Sequence, residues 1–204
     1  MPATGIDNII QNVFNLYDKH GAEEYAGEKV SQLEHMAQAA QLAMQEGYDD
    51  EVVLAAFLHD VGHLLPIHDE SESMDGYGTI DHEKVGAEYL RRNGFSEKLC
   101  KLIVSHVNAK RYLTYKFADY YNQLSDASKK TLEYQGGRME EAEAKQFEAD
   151  PLFDLYIRMR RWDEAAKMQQ QPLPDLLLFK EIATRHLEKM PAHQGFQIID
   201  RWSK

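Results

Sequence analysis

The amino-acid sequence predicts an all-α bundle folded as one domain, and three observations carry that expectation. Apolar residues recur at helical spacing over most of the chain. Apolar–polar alternation bounded by turn residues, the mark of a strand, is hard to find. The 204 residues include only 12 Gly and 6 Pro, too few for a collagen-like or low-complexity chain, while 43% are hydrophobic and 28% charged, as in an ordinary globular domain.

Taken in order, Ile6, Ile9, Ile10, Val13, Phe14 and Tyr17 trace the face of a first helix, with Thr4 as its N-cap. Val30, Leu33, Met36, Ala37, Ala40 and Met44 trace a second between Gly27 and Glu46, closed by Gly47. Asp49 or Asp50 caps a third, in which Val52, Val53, Ala55, Ala56, Phe57 and Leu58 form a nearly continuous apolar stretch ending at Gly62. A segment apolar on every side belongs at the centre of a fold. His68 to Gly78 is polar and reads as a loop. A helix from about Asp81 to Asn93 stops at Gly94, and Ser96 caps the next, with Leu99, Leu102, Ile103 and Val107 inward. Ser125 starts another that ends at Gly136 and Gly137. Met139 to Ala149 is acidic and reads as solvent-exposed, Pro151 to Met168 is helical, and Pro174 with Asp175 opens a last helix through Leu187. Neither a repeat nor a linker divides the chain. Residues 1–204 therefore read as one domain with a core over about 25–190 and a tail over 191–204, whose Phe196, Ile198, Ile199 and Trp202 suggest packing.

Charge and cysteine content narrow the function classes. Lys and Arg number 23 against 34 Asp and Glu, a formal charge of -11. That argues against nucleic acid as a partner, since a phosphate backbone needs a cationic field. No uncharged apolar run approaches the roughly 18 residues that span a bilayer, and Met1 to Leu16 lacks a signal core, so a soluble cytoplasmic protein with no membrane partner is expected. The single Cys100 excludes an intramolecular disulfide and a Cys-ligated structural zinc site. Oligomeric state is not legible. Nine histidines in an acidic chain stay unexplained by composition.

His59-Asp60 closes the most apolar helix. Adjacent helical side chains point about 100° apart, so the two cannot both reach solvent while the segment packs. A buried carboxylate is costly unless partnered; a metal beside an imidazole is one partner, a core ion pair or a His–Asp hydrogen bond another. His35, His82 and His106 each have a helix to themselves, and Asp163 lies on a later one, so a bundle can converge all six. Four imidazoles and two carboxylates are too many for one catalytic ion with an open position and suit two ions bridged by Asp60. Nitrogen and oxygen donors without thiolate fit iron, manganese, zinc or magnesium. His63 lies four residues after His59 and Lys110 four after His106, which places each pair on one helix face. Lys110 with an arginine would seat an anion. Each also has a plainer reading: Lys110 as a solvated helix residue, Glu28 as an early-helix carboxylate, Ser128 as a first-turn hydroxyl after the Ser125 cap, Asp163 and Lys167 as an exposed pair. His20, His68, His186 and His193 read as surface or packing histidines.

The ordered series His35, His59-Asp60, His82, His106, Asp163 resembles the HD-domain superfamily, mostly metal-dependent phosphohydrolases. More narrowly it is similar to the mixed-valent diiron oxygenases of phosphonate catabolism, related to myo-inositol oxygenase. The motifs are Tyr25-Ala26-Gly27-Glu28, Gln32-Leu33-Glu34-His35, Leu58-His59-Asp60-Val61-Gly62-His63, Asp81-His82-Glu83, His106-Val107 with Lys110, Leu124-Ser125 with Ser128, Gln135-Gly136-Gly137, and Arg160-Arg161-Trp162-Asp163 with Ala166-Lys167, in order from Tyr25 to Leu187. The resemblance implies an HD-domain helical bundle in which His35, His59, Asp60 and Asp163 hold one iron and Asp60, His82 and His106 the other, as an Fe(II)/Fe(III) pair with O2 as co-substrate. It implies that Tyr25 occupies an open coordination position until substrate arrives, that Glu28 meets the substrate amine, and that His63, Lys110, Ser128 and Arg158 or Arg160 meet the phosphonate end. Tyr25, Glu28, His63 and Lys110 are the candidate catalytic residues. The implied reaction cleaves the C–P bond of a small organophosphonate such as 2-amino-1-hydroxyethylphosphonate, giving glycine and phosphate. Two other readings share the residues: an HD-family phosphohydrolase acting on a nucleotide or other phosphate ester, and a non-catalytic HD-fold regulatory protein.

Overall fold

Capping side chains set where the helices begin. Ser31 and Glu34 form a reciprocal capping box, and Asp49, Ser96, Ser125 and Asp175 each accept a hydrogen bond from a first-turn N–H, a contact worth about 1 kcal/mol. The computed structural model describes residues 5–25, 27–66, 74 and 79–191. Its elements are α1 (Gly5–His20), α2 (Gln32–Gln45), α3 (Asp50–Leu58), a 3-10 helix (Val61–Leu64), α4 (His82–Arg92), α5 (Glu97–Lys116), α6 (Tyr120–Gln123), α7 (Asp126–Tyr134), α8 (Glu141–Glu148), α9 (Phe153–Ala165) and α10 (Leu176–Glu188). Among the described residues there is no strand, only an isolated bridge between Glu24 and Ser31. The all-α expectation holds.

Helix α3 is the axis of the packing. Phe57 stacks on Phe179 at 4.0 Å and on Tyr17 at 4.7 Å, with Phe14 5.9 Å away. Leu54, Leu58 and Phe57 are fully buried, each contributing about 1.5–3 kcal/mol of transfer free energy. Helices α2, α5, α9 and α10 pack on α3, α1 packs on α10 and the 3-10 helix and reaches α3 through Phe14 and Tyr17, and α4 packs on α5 and the 3-10 helix. One apolar core takes residues from Ile9 to Leu187; a smaller cluster joins Tyr112, Leu113, Tyr120, Leu124, Leu132, Met139 and Ala144.

Several boundaries differ from the sequence pattern, each for a local reason. Helix α2 starts at Gln32 rather than near Gly27, because Ser31 caps it and the preceding residues form a loop that carries Tyr25 and Glu28. Val30 is buried without being helical, and Met44 is 39% exposed although its spacing placed it inward. Asp49, not Asp50, caps α3. The segment around Met139–Ala149 contains a helix that buries Ala144, and α6 was not expected. The chain leaves α3 at His59 and re-forms a 3-10 helix at Val61, so His59 and His63 do not share one helix face. Gly62 permits this: a Cβ there would lie 2.0 Å from the carbonyl oxygen of His82. Thr4, Ala26, His68, His193, most of the expected 68–78 loop and the tail from 192 onward lie outside the described residues. No helix among the described residues is long and apolar enough to cross a membrane.

Candidate metal centre

Six side chains from five places in the bundle meet at the C-terminal end of α3. His35 comes from α2, His59 and Asp60 from the end of α3, His82 from the first turn of α4, His106 from α5 and Asp163 from α9; all are buried. The Nδ1 of each imidazole faces a backbone carbonyl: His35 to Ala166 at 2.9 Å, His59 to Ala56 at 2.8 Å, His82 to Thr79 at 3.3 Å and His106 to Ile103 at 2.6 Å. A carbonyl only accepts, so every Nδ1 carries the proton and donates it. In the neutral ring that leaves Nε2 as the lone pair, the tautomer a metal ligand needs.

Those lone pairs point at one another. His35 and His59 bring their Nε2 atoms to 3.1 Å, and His82 and His106 do the same at 3.1 Å. Two bare nitrogen lone pairs at that distance repel unless a cation or a proton lies between them. Asp60 stands between the pairs: Oδ2 is 3.4 Å from both His35 and His59, and Oδ1 is 3.2 Å from His82 and 3.3 Å from His106. Both oxygens are buried and neither receives a hydrogen bond of good geometry. Asp163 adds Oδ1 at 3.4 Å from His35, while its Oδ2 accepts from Arg160 at 2.5 Å. The donors thus sort into a four-member set (His35, His59, Asp60, Asp163) and a three-member set (His82, His106, Asp60). The second set supplies one protein donor fewer.

Burial and mutual charge shape the titration of this cluster. Burial alone would raise the Asp60 carboxyl, but the surrounding imidazoles, His59 foremost, hold it well below the usual range. Asp163 is held low against burial by Arg160 and then His35. Burial works against a charge on His35, yet Asp163 and Asp60 raise it to about 9, whereas burial lowers His59 to about 4. At neutral pH this pair therefore holds one proton, in the place a cation would take.

His63 follows the opposite tautomer logic. Its Nδ1 accepts the Thr79 N–H at 3.1 Å, so the proton sits on Nε2, and its ring stacks on His82 at 3.9 Å. Asp60, His63 and His82 present donor-type atoms within 4.8 Å of one another, as do His35, His59 and Asp163. With Nε2 protonated, His63 is a hydrogen-bond donor beside the centre rather than a third imidazole ligand.

A cavity of about 50 Å³ opens onto this centre, lined among others by Tyr25, Glu28, His63, Lys110, Ser128, Arg160 and Lys167. Tyr25 stacks on His35 at 3.9 Å, and burial followed by the Asp60 charge pushes its phenol up, so it stays protonated. Lys110 is buried; its Nζ donates to Thr131 Oγ1 at 2.9 Å and reaches the Ser128 carbonyl at 3.5 Å. Burial, helped by Arg160, lowers it to about 7. Glu28 accepts from Ser125 Oγ at 2.7 Å and pairs with Lys167 Nζ at 2.5 Å. It is therefore already neutralised, which the sequence did not foretell. Asp163 and Lys167 do not form the exposed pair that their spacing allowed, because α9 ends between them and Lys167 turns to Glu28. Arg160 is buried against Asp163, Tyr120 and Glu164. Arg158 lies outside the cavity, half-exposed and 3.3 Å from Glu46. Of the two arginines considered from sequence, only Arg160 reaches the cavity.

The sequence pattern placed Gln32 and Lys167 in motifs, and Lys167 in an exposed pair, but gave neither them nor Thr131 a place in the cavity, which all three line. Thr131 lies one helical turn after Ser128 and could have been found from that spacing. The carbonyls of Ala56, Thr79, Ile103 and Ala166, which fix the imidazoles, leave no mark in the sequence. His20 pairs with Glu23 at 2.7 Å, and His186 stacks on Phe95 and accepts the Ser96 N–H.

Residues 32–152 match the model of the HD domain family. An uncharacterised protein of Acanthamoeba polyphaga mimivirus is 38% identical over 187 residues, covering 90% of this chain and 85% of the viral one. A [1-hydroxy-2-(trimethylamino)ethyl]phosphonate dioxygenase (glycine-betaine-forming) of Leisingera caerulea is 38% identical over 192 residues, 92% of this chain and 93% of that protein. A hydroxymethylphosphonate dioxygenase of Gimesia maris is 41% identical over 169 residues, 82% of each chain. Asp163 lies beyond the residues that match the family model, but within the length shared with such relatives.

Proposed function

The chain belongs to the HD-domain family, with relatives named as phosphonate dioxygenases, and from that premise we propose that it is a diiron oxygenase cleaving the C–P bond of a 1-hydroxyphosphonate. The observation that carries the two-metal reading is the pair of facing imidazole couples on either side of Asp60, whose own oxygens lack hydrogen bonds. The donor set of nitrogen and oxygen atoms suits iron. We assign His35, His59, Asp60 and Asp163 to one ion and Asp60, His82 and His106 to the other. The preference for oxygenase over phosphohydrolase rests on the named relatives. We take residues 1–204 as one domain, since one core gathers residues from Ile9 to Leu187, and place the protein in the cytoplasm, away from nucleic acid and membranes.

The net reaction balances as R–CH(OH)–phosphonate plus O2 giving R–carboxylate and phosphate: C1 loses four electrons and O2 gains them. An amino head group would give glycine, as the sequence resemblance implies. Iron, when bound, supplies the redox chemistry and Lewis acidity. The protein's residues do the rest. Lys110 supplies positive charge for the phosphonate, and its buried seat strengthens that attraction. His63 offers its Nε2–H to an anionic oxygen beside the three-member set. Arg160 holds Asp163 in orientation, and the four backbone carbonyls hold the imidazoles. Tyr25, packed on His35, fills the space beside the centre until substrate displaces it.

Phosphate release from hydroxymethylphosphonate or 2-amino-1-hydroxyethylphosphonate that requires both ferrous iron and O2 is the expected result. Equal release under strict anaerobiosis would show a hydrolase and end the oxygenase reading. Electron paramagnetic resonance should find a coupled Fe(II)/Fe(III) signal perturbed by substrate.

A further inference from the structure

Among the described residues, Lys110, Arg160 and Lys167 bring cationic side chains to the cavity, and their partners distinguish them. Arg160 is committed to Asp163. Lys110 faces neutral oxygens and can accept an added anion. Lys167 faces Glu28, and each side chain is at most one-fifth exposed. The backbone around Lys167 is clamped. The Ala166 carbonyl takes the His35 Nδ1–H, and both the N–H and the carbonyl of Met168 are bonded to Gln38, at 3.0 and 2.9 Å. Its ammonium also lies 5.8 Å over the Tyr25 ring. The main chain at Lys167 is thus fixed beside the cavity, and Glu28 and the Tyr25 ring are the contacts of its ammonium there. Glu28 and Asp163 are the carboxylates among the described lining residues, and Asp163 already serves Arg160 and His35.

Resting on the oxygenase reading, we infer that Lys167 sets the head-group preference of the site, competing for Glu28 with any cationic group on the substrate's C2. A substrate ammonium meets a carboxylate that is already paired: Lys167 Nζ and Ser125 Oγ both lie on its Oε1, so an ammonium that reaches Oε2 finds a partly neutralised group and stands beside a like charge. An uncharged head group of the same size leaves the pair intact. Lys167 thus disfavours amino-substituted hydroxyphosphonates relative to uncharged ones, without touching the reacting carbon.

The test compares two substrates that differ by charge and hardly by size, 2-amino-1-hydroxyethylphosphonate and 1-hydroxypropylphosphonate. The iron-loaded full-length protein, Lys167→Met, Lys167→Arg, Glu28→Gln and the Glu28→Gln/Lys167→Met double variant are assayed for kcat/KM with O2. The same compounds are titrated calorimetrically without O2, and thermal melts establish that each variant folds. Lys167→Met should raise the amino-to-propyl ratio roughly tenfold, the scale of a partly buried charge pair. Lys167→Arg, which keeps the charge, should hold the wild-type ratio, and the rise should vanish in the Glu28→Gln background. An equal loss on both substrates, or a falling ratio, overturns the assignment. Wild type that binds both compounds but releases no phosphate ends the oxygenase reading alone, with the head-group ratio still measured from binding. Failure to bind either compound ends both.

Discussion

Asp60 has one oxygen in each donor set, so its amide analogue tests both at once. Asp60→Asn should take iron content from about two per chain toward zero, whereas Asp163→Asn should strip chiefly the four-donor ion; metal analysis after desalting distinguishes them. On the diiron reading, iron must also displace the proton held by the His35–His59 pair. With His35 raised to about 9, that proton is bound at pH 7, so iron loading should release protons into weakly buffered solution and weaken as pH falls. Lys110 carries the opposite dependence for substrate. Lowered to about 7, it is charged below that pH and neutral above it, so phosphonate affinity should fall as pH rises from 6 to 8.5. In Lys110→Arg, which stays charged throughout, that fall should disappear; Kd measured across the range under anaerobiosis checks it. At this scale the histidines were legible from sequence by type and order. The direction of each lone pair was not, because main-chain carbonyls decide it.

At the scale of elements, the break between α3 and the 3-10 helix controls where α4 sits. Gly62 approaches the His82 carbonyl so closely that a Cβ would lie 2.0 Å from its oxygen, and a Cβ on Gly86 would lie 2.9 Å from Gly62 N. Gly62→Ala must therefore push α4 outward. It should cost on the order of 3 kcal/mol or more, beyond ordinary surface changes, and should lose the His82–His106 ion before the other; denaturant melts and metal analysis report the two effects. Helix starts marked by Ser96, Ser125 and Asp175 agreed with their sequence signals, because a cap is a local contact. The break after His59 was illegible because it depends on a carbonyl some twenty residues later. The start of α2 was misplaced for a related reason: Val30 buries its side chain from a loop, and an apolar spacing cannot tell that from a helix turn.

Across the whole molecule, a net charge of -11 surrounds a centre that buries two carboxylates, Asp60 and Asp163. On the two-metal reading, removing the ions leaves Asp60 and Asp163 buried with only imidazoles and Arg160 to compensate. Chelation should lower the thermal midpoint, and ferrous iron at a thousandfold excess over its Kd should restore about 4 kcal/mol, a shift on the order of 10 °C for a chain of this size. Differential scanning calorimetry with and without chelator measures it, and an unchanged midpoint would argue that the six donors hold nothing. The one-core architecture was legible because helical periodicity runs through the chain; the coupling of that core to the centre through α3 was foreshadowed by its unbroken apolar stretch.

The two donor sets are also unequally spread along the polypeptide. Asp60, His82 and His106 are all translated within the first 106 residues, while the other set waits for Asp163, about four-fifths of the way along. In chain order, Asp60, His82 and His106 therefore precede the last donor of the other set. On the two-metal reading, a chain cut before α9 would keep Asp60, His82 and His106 but lack Asp163, so the four-donor set would be the one left incomplete.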